Sequence, residues 1–157
     1  MSFRSFLLKN LIMTIKNVIV VHGPNLNLLG KREPEHYGGS SLNDINNEIT
    51  KEAKNLNINV DIIQSNSELE IVEIIQNVQA DFLIINPAAF THTSVAIRDA
   101  IAAIKIPFIE VHISNVFARE SFRKESFFSD LAVGIISGLG PEGYLAALRY
   151  TLTHKKL

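Results

Sequence analysis

The segment FLIINPAAFTHTSVAIRDAIAAIKIPFIEV, residues 82–111, decides the fold. It opens with the apolar run 82–85, continues with helical spacing over 95–104 and ends in a second apolar run at 108–111. Short runs rich in β-branched residues are typical of buried strands, and the longer segment between them has the apolar spacing of a helix. A strand, a helix and a strand in this order predict a right-handed crossover between two parallel strands.

The same alternation extends outward in both directions from this segment. Further apolar runs predict strands at 18–21, 60–63 and 131–136. Helical spacing recurs in the segments 42–54, 69–78 and 144–152. Strands that are apolar throughout are buried on both faces, so helices must cover the sheet on each side. We therefore expect an α/β protein, a flavodoxin-like three-layer sandwich with a five-stranded parallel sheet.

The composition limits the classes of partner and compartment. The chain has 157 residues, in which 15 Lys and Arg oppose 16 Asp and Glu. A charge this close to zero gives no overall positive field, so we expect neither a nucleic acid nor a membrane surface as a partner. The sequence has no cysteine, which excludes disulfides and thiolate metal sites and makes the cytoplasm the expected location.

No linker, repeat or low-complexity stretch divides the chain, so we expect one α/β domain over residues 18–157. We set residues 1–17 apart as an N-terminal extension and assign it no function. Its apolar residues and Arg4 suggest a signal peptide, but Lys9 and Asn10 interrupt the apolar run and no small-residue cleavage site follows.

The one long irregular segment, 23–39, follows the first predicted strand. A loop of this length in a compact domain is usually functional, and its glycines and prolines are typical of a mobile lid. The loop carries Arg32 and Tyr37, and a guanidinium beside a phenol would make the phenol a better base at neutral pH. The spacing alone also fits a surface loop with a solvated arginine and a packed tyrosine.

Two further groups of candidate residues lie at or just after the ends of predicted strands. Glu110 and His112 alternate along one strand, so a carboxylate could orient the imidazole or keep it protonated for general-acid work. The alternative is that His112 has no catalytic role and is a partly buried histidine at the end of the strand, with its hydrogen bonding satisfied by one partner. His92 lies in the strand-to-helix turn 86–94, where its simplest role is local capping, and Asn86 could merely hold that turn.

Two other kinds of site are disfavoured. A metal site would gather Glu110, His112 and His92, but no dense ligand motif is present, so we expect no metal and no other cofactor. A hydrolase triad of Ser114, His112 and Asp99 would lack the strained serine turn that such enzymes use.

The segment GLGPEG, residues 138–143, has the form of a dinucleotide-binding loop. A dinucleotide site would need a further strand with an acidic residue about 20 positions on, and the chain ends before that. We interpret the segment as a tight turn in which Pro141 begins a helix. The alternative function for the chain is a non-catalytic flavodoxin-like module that binds a nucleotide or flavin through this loop.

Taken together, several blocks of the sequence resemble the type II 3-dehydroquinate dehydratases. The resemblance covers the chain from Val18 to about Tyr150, and its strength lies in the ordered set of blocks. These blocks are Gly23–Gly30, Arg32–Pro34 with Tyr37–Gly38, Gln64–Asn66, Asn86–Pro87 with Thr91–Ser94, Arg98–Ala100, and Glu110–His112 through Arg123. One departure is Ser67-Glu68, where many relatives have a His-Glu pair.

The resemblance implies a reversible anti elimination that converts 3-dehydroquinate to 3-dehydroshikimate through an enolate, in the shikimate route to aromatic compounds. Tyr37 would be the base, and Arg32 would favour its phenolate. Asn25 would hold the water that stabilises the enolate oxygen. His112, supported by Glu110, would protonate the departing hydroxyl. Such a division needs positioned donors and acceptors and no cofactor.

The resemblance also implies substrate-binding residues and an assembly. Asn86 and the backbone amides of Ile113 and Ser114 would bind the substrate carboxylate, and His92 and Arg123 its hydroxyl-bearing side. Asp99 would reach in from a neighbouring subunit. The implied assembly is a homododecamer built from trimers.

Overall fold

A computed structural model of the chain describes residues 14–31 and 39–154. In this part of the chain, five parallel strands form one sheet in the order β2-β1-β3-β4-β5. The strands are β1 Asn17–His22, β2 Asn59–Gln64, β3 Phe82–Asn86, β4 Phe108–His112 and β5 Gly134–Ser137. The helices are α1 Leu42–Asn55, α2 Glu68–Gln76, α3 Val95–Ile104 and α4 Glu142–Thr151. This strand order is that of flavodoxin-like folds, so the expected three-layer architecture is confirmed.

Side chains alternate between the two faces of the sheet and form two apolar cores. On one face, Val20 and Ile84 pack with Ile49 of α1 and Leu148 of α4. On the other face, the neighbouring strand residues pack with α2 and α3; this core includes Val21, Ile85, Ile75 and Ile101. Ile15, inside the segment that we set apart as an extension, also packs in the first core.

Serine side chains fix where three of the helices begin. Ser41 forms a capping box with Asp44 at the start of α1. Ser67 accepts a hydrogen bond from the amide of Glu70 at the start of α2, and Ser94 accepts one from Ile97 at the start of α3. Each cap satisfies a backbone donor that the first turn leaves unpaired. Ser67 is the departure noted above, and its role here is to cap a helix.

The last strand is shorter than the apolar run that predicted it. The run 131–136 begins with a turn, in which the amides of Leu131 and Ala132 donate to the carbonyl of Phe128. Leu131 and Ala132 pack against the core of α2 and α3, and the ladder with β4 starts at Gly134. Hydrophobicity alone does not separate a partly buried turn from a strand, so the predicted start was wrong by three residues.

The segment 138–143 connects β5 to α4 as a tight turn. Gly138 has a φ of 90° and Gly140 a φ of 59°, values that favour glycine. α4 begins at Glu142, directly after Pro141. In the described residues, no helix is long and apolar enough to span a membrane.

Candidate active site

A cleft opens beyond the carboxyl ends of β1, β3 and β4. Parallel α/β sheets bind ligands at this edge, where the strand order reverses on either side of β1. Its lining includes seven residues that the sequence singled out: Asn25, Asn86, His92, His112, Ile113, Ser114 and Arg123. The fold therefore brings most of the expected site residues to one place.

The chain turns sharply into the cleft after β1. A Cβ on Gly23 would lie 2.4 Å from the carbonyl oxygen of Pro87, so only glycine fits. Asn25 then adopts a left-handed conformation with a φ of 67°, and its amide donates to Oδ1 of Asn66 at 2.9 Å. The same Asn66 oxygen accepts from Nε2 of Gln64 at 3.1 Å. The end of β2 thus holds Asn25 at the cleft.

Asn86, at the end of β3, belongs to a buried polar chain. Its Nδ2 donates to the hydroxyl of Tyr144 at 3.0 Å, and its Oδ1 accepts from the amide of Ala88 at 3.1 Å. The hydroxyl hydrogen of Tyr144 then points to Nδ1 of His22, 2.9 Å away. The proton of His22 is therefore on Nε2, which donates to Oδ1 of Asn46 at 2.9 Å. These bonds fix the orientation of the Asn86 amide.

Burial keeps this polar chain neutral. It lowers the pKa of His22 from 6.5 to about 4, although the hydrogen bond to Asn46 acts the other way. Burial also raises the pKa of Tyr144 well above its usual value. Since desolvation disfavours every charged form, both side chains serve as hydrogen-bonding groups rather than as acids or bases.

Glu110 and His112 meet below the cleft at the end of β4. Nε2 of His112 donates to Oε1 of Glu110 at 2.6 Å, and Glu110 is only 1% exposed. Ser126 and Ser129 donate to the two oxygens of the same carboxylate at 2.8 and 2.7 Å. The carboxylate fixes the proton of His112 on Nε2, so Nδ1 is left to exchange a proton with a ligand.

His92 has the opposite tautomer. Its Nδ1 lies 2.6 Å from the carbonyl oxygen of Glu125, so that nitrogen carries the proton and Nε2 is an acceptor. Burial lowers the pKa of His92, with further effects from His112 and Arg123, and this favours the neutral ring. A neutral Nε2 in the cleft suits a hydroxyl group of a ligand.

Two arginines line the same cleft. Nε of Arg123 donates to Oε2 of Glu120 at 2.6 Å, and its guanidinium lies over the ring of Phe122. Arg119 is more deeply placed, with a side chain only 6% exposed, and its Nη1 donates to Oγ of Ser114 at 3.3 Å. Glu120 also lies 3.7 Å from Nε of Arg119, so one carboxylate faces two guanidinium groups. The positive charge that is left suits an anionic ligand.

Two expected site residues fall outside the described residues, and a third does not line the cleft. Arg32 and Tyr37 fall in residues 32–38, outside the described part of the chain. Asp99 is exposed on α3 and does not line this cleft. Among the described residues, no group of three or more His, Asp and Glu side chains is arranged to hold a metal ion.

Sequence reasoning missed several residues of the site. His22, Tyr144, Arg119, Ser126 and Ser129 were given no role. Arg119 comes shortly after β4 and could have been found as a cation near the strand ends. The others contact the site only through tertiary packing, for which the sequence pattern carries no signal.

Comparison with known proteins gives a consistent result. The family described as dehydroquinase class II matches residues 16–152. The chain is 56% identical over 140 residues to a 3-dehydroquinate dehydratase of Nitrosomonas europaea, which covers 87% of this chain and 97% of the relative. It is 54% identical over 145 residues to one of Legionella pneumophila, covering 90% of this chain and 100% of the relative.

Solved structures agree with the sequence relatives. The fold is similar to that of a type II dehydroquinase from Propionibacterium acnes, with a TM-score of 0.84 and 39% identity over 90% of this chain and 99% of the other. It is also similar to a type II dehydroquinase from Butyrivibrio crossotus, with a TM-score of 0.85 and 42% identity over 87% of this chain and 97% of the other.

Proposed function

The chain belongs to the class II dehydroquinases, and from this premise we propose that it dehydrates 3-dehydroquinate to 3-dehydroshikimate by a reversible anti elimination through an enolate. The observation that carries the proposal is the pair Glu110 and His112, a buried carboxylate and an imidazole that meet at the base of the cleft. Such a pair is suited to deliver a proton to a departing hydroxyl.

The first step is removal of a proton from the carbon beside the ketone. We assign this step to the phenolate of Tyr37. The guanidinium of Arg32 stabilises that phenolate. This assignment rests on the family resemblance, since both residues lie outside the described residues. A phenolate beside a guanidinium has a proton affinity suited to this work at neutral pH.

The enolate oxygen then needs a donor. We assign this to a water molecule that Asn25 holds. The support is the position of Asn25 in the cleft lining and the fixed backbone conformation that Asn66 gives it. A donor that is already oriented stabilises developing charge without a reorganisation cost during the reaction.

The second step is loss of the hydroxyl as water. His112 donates its Nδ1 proton to the leaving oxygen, and Glu110 stabilises the imidazolium before the transfer. Nε2 remains protonated toward the carboxylate throughout, so the ring does not need to turn. Protein groups thus provide each proton transfer, and the reaction as proposed uses no metal or other cofactor.

The remaining cleft residues bind the substrate. We assign the carboxylate to Asn86 and the amides of Ile113 and Ser114, and the hydroxyl-bearing side to His92 and Arg123. The acceptor Nε2 of His92 fits that assignment, because a substrate hydroxyl can donate to it. Asn86 has one Nδ2 hydrogen that its contacts with Tyr144 and Ala88 leave for a ligand.

We also propose the assembly and setting that the family resemblance implies. The subunits form a homododecamer of trimers, and Asp99 on the exposed face of α3 reaches the cleft of a neighbour. The enzyme acts in the cytoplasm, in the shikimate pathway of aromatic amino acid biosynthesis.

An absorbance assay tests the reaction. The product is a conjugated enone that absorbs ultraviolet light where the substrate does not, so purified protein mixed with 3-dehydroquinate and EDTA should give a rising signal. A folded protein that gives no rise at any pH would overturn the assignment. Size-exclusion chromatography with light scattering of the same sample tests the dodecamer.

A further inference from the structure

Both oxygens of the Glu110 carboxylate are held by side chains. Oε1 accepts from Nε2 of His112 at 2.6 Å and from Oγ of Ser126 at 2.8 Å. Oε2 accepts from Oγ of Ser129 at 2.7 Å. A carboxylate has no hydrogen to give, so each hydroxyl donates. Glu110 therefore has two serine donors in addition to the histidine, and we call this pair of serines the serine clamp.

The segment that carries the clamp is itself fixed. Oγ of Ser126 accepts from the amides of Phe128 and Ser129, which leaves its hydrogen to point at Glu110. Arg98 of α3 donates to the carbonyl oxygen of Phe127 at 2.6 Å and forms a two-pronged ion pair with Asp130. Contacts on both sides of Ser129 thus hold the hydroxyl in place.

We propose that Ser126 and Ser129 are positioning residues that keep Glu110 ionised and in one orientation, so that His112 keeps its proton on Nε2 and presents Nδ1 to the substrate. The inference rests on the proposed function, in which His112 is the general acid. The serines act on the reaction through Glu110 and do not line the cleft.

The serine clamp matters because Glu110 is buried, and burial favours the protonated form of a carboxyl. Burial would raise the pKa of this carboxyl, but hydrogen bonds from His112, Ser129 and Ser126 and the charge of His112 outweigh it, so the pKa lies below its usual value. Within the described part of the chain, the other charged or titratable side chains that line the cleft above the pair are His92, Arg119 and Arg123. Without the clamp, a buried carboxylate with one partner would more readily take up a proton.

Ser129→Ala is the cleanest test of the clamp. Among the described contacts, the Ser129 side chain makes only the bond to Glu110, whereas the Ser126 hydroxyl also caps its own turn. Ser129→Thr keeps the hydroxyl and serves as the rescue. Thr151→Val is the control for stability, because it removes a buried hydroxyl bond to Leu148 from α4, away from the cleft.

The kinetic arm measures kcat and KM on 3-dehydroquinate with the full-length protein. In Ser129→Ala, kcat at the optimal pH should fall about fivefold because His112 is less well oriented, with KM nearly unchanged. Ser129→Thr should restore kcat, and Thr151→Val should lower thermal stability without lowering kcat.

The spectroscopic arm is independent of turnover. Infrared difference spectra at a series of pH values follow the C=O stretch of the protonated Glu110 carboxyl, which Glu110→Gln identifies by its disappearance. Removing one donor from a carboxylate raises the pH at which it takes up a proton, so the band should appear about one pH unit higher in Ser129→Ala than in the wild type. Coincident titrations in the two proteins would overturn the clamp. A wild type without turnover would overturn the proposed function, and the infrared result would still decide the clamp.

Discussion

The hydroxyl of Tyr144 lies 2.9 Å from Nδ1 of His22, although the two residues are 122 positions apart in the chain. Tyr144 is on the last helix and His22 ends the first strand, and both are fully buried. Through this hydroxyl the core fixes the Asn86 amide at the base of the cleft. The contact therefore links core packing to the residue that we propose binds the substrate carboxylate.

Tyr144→Phe should reduce both stability and binding. It leaves Nδ2 of Asn86 and Nδ1 of His22 without their buried partner, which costs about 1–3 kcal/mol of unfolding free energy. The freed amide of Asn86 should also turn, so KM should rise more than kcat falls. Steady-state kinetics and thermal unfolding measure the two effects, and an unchanged KM in a folded variant would argue against Asn86 as a binding residue.

His22 should make stability fall with acid. Its pKa is about 4 in the folded state and 6.5 as a free side chain, so the unfolded chain binds the extra proton between these values. The contribution is complete above pH 6.5 and is lost as the pH falls to about 4; it amounts to about 3 kcal/mol.

His22→Asn isolates this effect. The Asn side chain retains an acceptor where Nδ1 was, so the bond from Tyr144 survives while the titrating ring is gone. Unfolding free energy measured from pH 7 to pH 4 should fall less steeply in the variant than in the wild type. Parallel curves would show that His22 is not the source of the acid sensitivity.

Asn66 should control turnover through the backbone of Asn25. Asn66→Ala removes the acceptor of the Asn25 amide, and kcat/KM should fall about tenfold, which corresponds to about 1.4 kcal/mol. Asn66→Asp keeps an acceptor for both Asn25 and Gln64 and should retain most of the activity. Equal losses in the two variants would contradict the role of this acceptor.

Gly23 should tolerate no side chain. An added Cβ would lie 2.4 Å from the Pro87 carbonyl oxygen, and that backbone cannot move without breaking the bond from the Gly23 amide to Asn86. Gly23→Ala should lower stability by about 1–3 kcal/mol or more. Gly134→Ala is the matched control, since a Cβ there meets nothing within 4 Å. Comparable melting temperatures for Gly23→Ala and Gly134→Ala would contradict this prediction.

The sequence was sufficient to predict the sheet and its layers. Apolar runs separated by helical segments predicted the layers, and two polar residues that the sequence singled out, Asn86 and His112, line one cleft. The pattern could not place the start of β5, because Leu131 is apolar and partly buried in a turn rather than in a strand. Nor could it predict that Tyr144 would meet His22 or that Ser129 would meet Glu110, because these contacts depend on tertiary packing.

In the proposed mechanism, Tyr37 removes the proton beside the ketone and His112 protonates the departing hydroxyl. The most direct measurement follows 3-dehydroquinate by proton NMR in deuterated water and records both product formation and exchange of the hydrogen beside the ketone. His112→Ala should still exchange that hydrogen while forming product at least about a hundredfold more slowly, and Tyr37→Phe should do neither. A Tyr37→Phe protein that exchanges or dehydrates the substrate at the wild-type rate would contradict the account.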